Sequence, residues 1–123
     1  MVDPNITNAE WEVMRIVWAK SPVTAHVIIG ELRATKNWSV STVKTLLNRL
    51  VKKRVLDFEK TGRQYLYRAA ISQQECRTSE MKSFLARVFD GALPPMLAHY
   101  VQNQPLSERE IGELEQILKQ RAQ

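Results

Sequence analysis

The chain has 123 residues, 44% hydrophobic and 25% charged, with a net charge of +5, enough for one modest core and a small appendage but not for a large multi-domain enzyme. No apolar run approaches the roughly 18 residues that span a bilayer, and residues 1–10 lack the basic start and apolar stretch of a secretory signal, so a cytoplasmic protein without membrane insertion is expected. The single cysteine, Cys76, allows neither an intrachain disulfide framework nor a multi-cysteine metal site, and reads as a small buried hydrophobe.

Thr7 and Glu10 form a T-x-x-E capping box, flanked by the apolar pair Ile6 and Trp11 at staple positions. They predict a helix from Asn8 that turns Trp11, Met14, Val17 and Trp18 inward and stops at Ser21-Pro22. Thr24 caps a second helix to about Ala34, with Val27, Ile28 and Leu32 as its buried stripe. His26, in its first turn, has no clustered His, Cys or carboxylate and reads as an exposed polar residue rather than a metal ligand.

Ser39 heads a third helix reaching about Lys53, in which Val43, Leu46, Leu47 and Leu50 recur at i, i+3, i+4 and i+7 and so share one buried face. The opposite face carries Ser41, Thr42, Lys44, Thr45, Asn48, Arg49, Lys52 and Lys53, with no acid. Val55 to Lys60 and Gln64 to Ala69 then alternate as two strands joined at Thr61-Gly62, and Lys60 and Arg63 stand at the tip of this hairpin. Three short helices followed by a basic-tipped hairpin describe a winged helix-turn-helix. The expected fold is therefore mainly α with a small β-hairpin, with residues 1–71 as a DNA-binding domain and residues 72–123 as a helical dimerisation domain.

In that second region Ser72 and Glu75 make another capping box, ahead of a helix with Met81, Phe84, Leu85 and Val88 on one side that stops at Gly91. Leu93, Met96, Leu97, Tyr100 and Val101 define the next helix, where Pro94 and Pro95 fall in the first turn. Ser107 and Glu110 cap a last one, with Ile111, Leu114 and Leu118 inside. About fifty residues of short amphipathic helix bury too little surface alone. These apolar positions are therefore expected to face a second copy of the chain, the alternative being that they fold back on the winged helix.

Charge follows the same division. Residues 1–70 hold twelve Lys and Arg against six acids, a net +6, while the remainder hold six against seven, a net −1. The basic half suits a polyanion. If the third helix enters a major groove, Lys44 is placed for guanine acceptors and Asn48 for adenine, while Ser41, Thr42 and Thr45 suit hydrogen bonds or methyl contacts with thymine. Ser39, at the head of the helix, joins that set. Arg49, Lys52, Lys53, Lys60 and Arg63 suit phosphate. The chain has no glycine-rich phosphate loop, nucleophile elbow, H-E-x-x-H or Cys/His cluster, so neither enzyme nor cofactor is expected. The other reading left open is a winged-helix protein-protein assembly module without specific DNA binding.

The stretches Ile6 to Trp18, ITNAEWEVMRIVW, and Trp38 to Lys53, WSVSTVKTLLNRLVKK, at this separation and ahead of a hairpin, resemble the penicillinase and methicillin-resistance repressor family, the BlaI/MecI family. The resemblance covers nearly the whole chain. It implies a homodimeric transcriptional repressor on a palindromic operator, controlling β-lactam resistance or cell-envelope stress genes. It further implies release by a sensor-linked protease that cuts the dimerisation region, where His99-Tyr100 takes the place of the family's Asn-Phe bond. Val40 stands where the family usually has proline, Ser41 where lysine is frequent, and Arg54 where glycine often ends the recognition helix. The chain lacks the paired C-x-C motifs of copper-responsive relatives, so copper sensing is not expected.

Overall fold

The computed structural model describes residues 5–122. In chain order the elements are α1 Asn8–Lys20, β1 Val23–Thr24, α2 Ala25–Lys36, α3 Val40–Lys52, β2 Leu56–Thr61, β3 Gln64–Ala69, α4 Gln73–Phe89, α5 Leu93–Asn103 and α6 Glu108–Ala122. Two compact units part between Met81 and Lys82, within α4.

The first unit is held by one apolar cluster. Val13, Met14 and Val17 of α1 meet Ile28 and Leu32 of α2 and the whole expected stripe of α3, Val43, Leu46, Leu47 and Leu50. Each such side chain taken from water contributes about 1.5–3 kcal/mol. The caps are those expected: the Thr7 hydroxyl accepts the Glu10 N–H at 3.1 Å while Glu10 Oε1 accepts the Thr7 N–H at 2.9 Å. Thr24 and Ser39 likewise accept from Val27 and Thr42. Trp11 and Trp18 are half-buried rather than enclosed, packed edge to face at 5.3 Å, and the Trp18 indole N–H donates to the Ile71 carbonyl. Cys76 is buried in the same cluster, and burial first, then Glu75 and Glu80, pushes its thiol pKa up. It is therefore a packing residue, poorly disposed to form a thiolate.

Three local expectations change. Val27 is 38% exposed, because Ile28 and Leu32, one turn apart, set the inward direction of α2 and Val27 sits about 100° away from Ile28 around the helix. The hairpin is part of a three-stranded antiparallel sheet, order β1-β3-β2, in which Val23 pairs with Tyr67 and Thr24 with Leu66. The turn lies one residue later than expected: Thr61 pairs with Gln64, leaving Gly62-Arg63 as the loop. Two-residue hairpin loops need positive φ at their first central residue, which Gly62 supplies at 63°.

Between α3 and β2 the chain turns through Arg54, at φ 62°. The Val55 N–H then bonds the Leu50 carbonyl, and the Val55 carbonyl accepts the Ala70 N–H, so the left-handed residue is fixed from both sides. A side chain there costs about 1–2 kcal/mol. Arg54→Gly is accordingly expected to raise the melting temperature by a few degrees; a lower melting temperature would show that the Arg54 side chain contributes more than its backbone strain costs.

In the second unit, Asp90 and Gly91 take positive φ after α4, and Pro94 and Pro95 lie in the first turn of α5. Ser107 caps α6, its hydroxyl accepting the Glu110 N–H at 3.1 Å. The rings of Phe84 and His99 each lie about 6 Å from Phe89. Among the described residues, neither α5 nor α6 has a buried side chain.

Candidate nucleic-acid interface

Because Val43, Leu46, Leu47 and Leu50 fix the rotation of α3, its other side is presented to solvent as two rows one helical turn apart in step. Lys44, Asn48 and Lys52 form one row, Ser41, Thr45 and Arg49 the other, and all six are exposed. At the head of the helix the Ser39 and Thr42 hydroxyls lie 2.9 Å apart, and the Thr45 hydroxyl donates to the Ser41 carbonyl at 3.0 Å, so these short side chains are held close to the backbone while the longer ones reach outward. Among the described residues no carboxylate comes within ion-pairing distance of Lys44, Arg49, Lys52 or Arg63.

Facing the first row is the wing. Strand register puts Phe58 opposite Tyr67 and Lys60 opposite Tyr65, so these four share one face of the sheet. Phe58 and Tyr65 meet edge to face at 5.5 Å, and the Lys60 ammonium sits 5.8 Å above the Tyr65 ring. Between α3, the start of α2 and this face runs an open groove of about 700 Å³. Lys44, Asn48, Lys52 and Arg63 all line it, together with His26 and no acid. The fold thus brings the expected readers of one row to the expected basic wing residue. Ser39, Ser41, Thr42, Thr45 and Arg49 continue the exposed surface of α3 outside the groove, and Lys60 lies on the wing beside it.

Lys53 is placed differently. Its ammonium donates to Glu10 Oε1 at 2.7 Å and to the Asn5 carbonyl at 2.9 Å, which ties the end of α3 to the start of α1. Glu10 is fully buried. Burial pushes its carboxyl pKa up, but the Lys53 ammonium and the Thr7 hydrogen bonds together outweigh this and hold it below its ordinary value of 4.5. Its second oxygen, Oε2, has no partner among the described residues.

Sequence reasoning passed over Phe58, Gln64 and Tyr65 as members of this surface. Their period-2 alternation was legible, and it places Phe58, Lys60, Tyr65 and Tyr67 on one side. That the side is an open groove wall, with Phe58 44% and Tyr65 41% exposed, depends on what packs against it in three dimensions.

A family model described as penicillinase repressor matches residues 6–120. The chain is 38% identical over 117 residues to a penicillinase repressor of Bacillus licheniformis, covering 95% of this chain and 91% of that one. It is 34% identical over 116 residues to the methicillin resistance regulatory protein MecI of Staphylococcus aureus, covering 94% of each. The solution structure of the DNA-binding domain of the repressor BlaI matches with a TM-score of 0.57 at 38% identity, over 61% of this chain and 93% of that one. That of Bacillus licheniformis BlaI, a monomeric form in complex with the blaP half-operator, matches with a TM-score of 0.53 at the same identity and coverage.

Proposed function

Because the chain belongs to the penicillinase repressor family, we propose that it is a transcriptional repressor that reads operator DNA with α3 and steadies itself with the wing. The observation that carries this reading is the acid-free cationic face of α3 lining one groove with Arg63 of the wing. Lys44 and Asn48 stand where a helix lying in a major groove meets base edges; Lys52, Arg49 and Arg63 are placed for phosphates. This is a binding function without a catalytic step, exerted in the cytoplasm, and no described helix is long and apolar enough to cross a membrane.

The test is footprinting on DNA upstream of the protein's own gene, with nonspecific competitor at physiological salt. A protected two-fold site is expected. Lys44→Ala should weaken binding to that site by about 1–3 kcal/mol and relax base preference at one position in each half. If wild type protects nothing and binds random duplexes only weakly, the surface serves protein-protein assembly instead.

We further propose that α4 to α6 pair with their counterparts in a second copy. Met81, Phe84 and Val88 of α4 are exposed, as are Leu93, Leu97, Tyr100 and Val101 of α5; Leu85 and Met96 are half-buried. On α6, Ile111, Leu114, Ile117 and Leu118 are also exposed, the last by 62%. An apolar surface of this extent marks an interaction site. Leu97, Tyr100, Leu114 and Ile117 further line a small groove of about 280 Å³. Release by proteolysis at His99-Tyr100 fits the exposure of both residues on α5. An intact chain in cells already transcribing the repressed genes would rule out that route.

A further inference from the structure

Resting on the DNA reading, we infer that the groove between α3 and the wing grips one sugar-phosphate strand of the duplex, and that Phe58 and Tyr65 supply an apolar, salt-independent part of the affinity by packing on the deoxyribose. With α3 in a major groove and the hairpin tip at the neighbouring minor groove, what lies between them is the backbone strand that separates the two. A strand in that position meets two kinds of wall.

One wall is cationic: Lys44 and Lys52 come from α3 and Arg63 from the tip, with no carboxylate among the lining residues. That complements phosphate and an acidic protein surface alike, and the other wall decides between them. It is a cluster of rings, Phe58 against Tyr65 at 5.5 Å and against Tyr67 at 5.9 Å, with Tyr67 buried and the other two open to the groove. Apolar rings beside spaced cations match the alternation of sugar and phosphate along a nucleic-acid strand. Exposed rings of this size on a small domain otherwise cost solubility, and one edge-to-face and one tilted ring contact hold them in place before any ligand arrives.

The distinction can be read from salt dependence. Counterion release makes the logarithm of affinity fall with the logarithm of salt in proportion to the phosphates neutralised. A sugar-ring contact adds affinity without adding to that slope. Titrations of the full-length protein against its operator duplex and a scrambled duplex, over a range of salt concentrations, provide the test. Tyr65→Ser is expected to weaken both duplexes roughly five- to tenfold at every salt concentration, the worth of burying part of one aromatic ring, with the slope unchanged; Tyr65→Phe should bind as wild type does. Phe58→Leu, which keeps apolar packing against Tyr67 while removing the ring, should behave as Tyr65→Ser does. Arg63→Ala should instead reduce the slope by about 1.

Wild-type affinity in Tyr65→Ser and Phe58→Leu, with wild-type protein binding its operator normally, would overturn the sugar contact and leave the repressor reading intact. A weakened Tyr65→Ser with a smaller slope would also overturn it, because the ring would then act only by steadying Lys60. Failure of wild-type protein to bind either duplex would remove the premise as well.

Discussion

Lys53→Ala is expected to destabilise the protein by about 3 kcal/mol, a large part of the 5–15 kcal/mol that holds a typical domain. The substitution strands the fully buried Glu10 carboxylate, whose Oε2 already has no partner among the described residues, and removes the ammonium that Oε1 accepts. Breaking a buried pair from one side leaves an uncompensated charge; the low end of the usual 3–5 kcal/mol applies because Lys53 keeps 24% of its side-chain surface in water. Glu10→Gln should cost less, since a lone Lys53 can turn toward solvent. The double variant Glu10→Gln, Lys53→Ala should recover much of the loss, and urea melts of wild type, the two single variants and the double measure the coupling.

Acid should mimic Glu10→Gln, because protonation removes the same charge and leaves Lys53 without its carboxylate partner. The Glu10 carboxyl titrates below its ordinary value of 4.5 in the folded protein. Its contribution is therefore fully present above about 4.5 and is lost as pH falls from there through the lower folded value. The acid limb of the stability profile should accordingly be shallower in Glu10→Gln. Should Lys53→Ala melt like wild type while binding every duplex more weakly and with a reduced salt slope, Lys53 would be a phosphate contact after all, as its place on the α3 face suggests from sequence alone.

The second large effect concerns the helices that bury almost nothing in one chain. Leu114→Glu combined with Leu118→Glu places two charges on the α6 face that we assign to a second copy, and should yield a monomer in sedimentation. Operator affinity should then fall by about two to four orders of magnitude, because joining two reading heads makes the second contact intramolecular and raises its effective concentration. Binding to an isolated half-site should not change, nor should the melting of the first unit, whose core these residues do not join. A chain cut at His99-Tyr100 should match the substituted protein in both respects. A double variant that still sediments as a dimer would show that the pairing surface lies elsewhere.

Much of this was readable from residues within a few positions of one another. The boxes at Thr7 and Glu10, Ser72 and Glu75, and Ser107 and Glu110 fixed where three helices start. The i, i+3, i+4, i+7 run from Val43 to Leu50 oriented α3 and thereby separated its buried residues from its reading face. Caps and helical periodicity are local interactions, closed within about one turn, so a linear string carries them in full. The left-handed turn at Arg54 was foreshadowed because the family resemblance places glycine there.

What the string left undecided are features whose partners are distant along the chain. Arg49, Lys52 and Lys53 are alike as residues of one cationic face; only the packing of α1 against α3 brings Glu10, 43 positions away, to Lys53 and withdraws that lysine from solvent while its neighbours stay free. The two residues of β1 are too few to alternate, and become a strand only because β3 lies beside them. Phe58 and Tyr65 read as ordinary strand hydrophobics, yet of the three rings on that face Tyr67 is buried and those two stay open as a groove wall. Local sequence thus determined which elements form and which way each one faces, since those choices are settled by short-range sterics and hydrogen bonds. The tertiary structure decided which charges are spent within the fold and which apolar groups remain for a partner, because burial is a property of what packs on top.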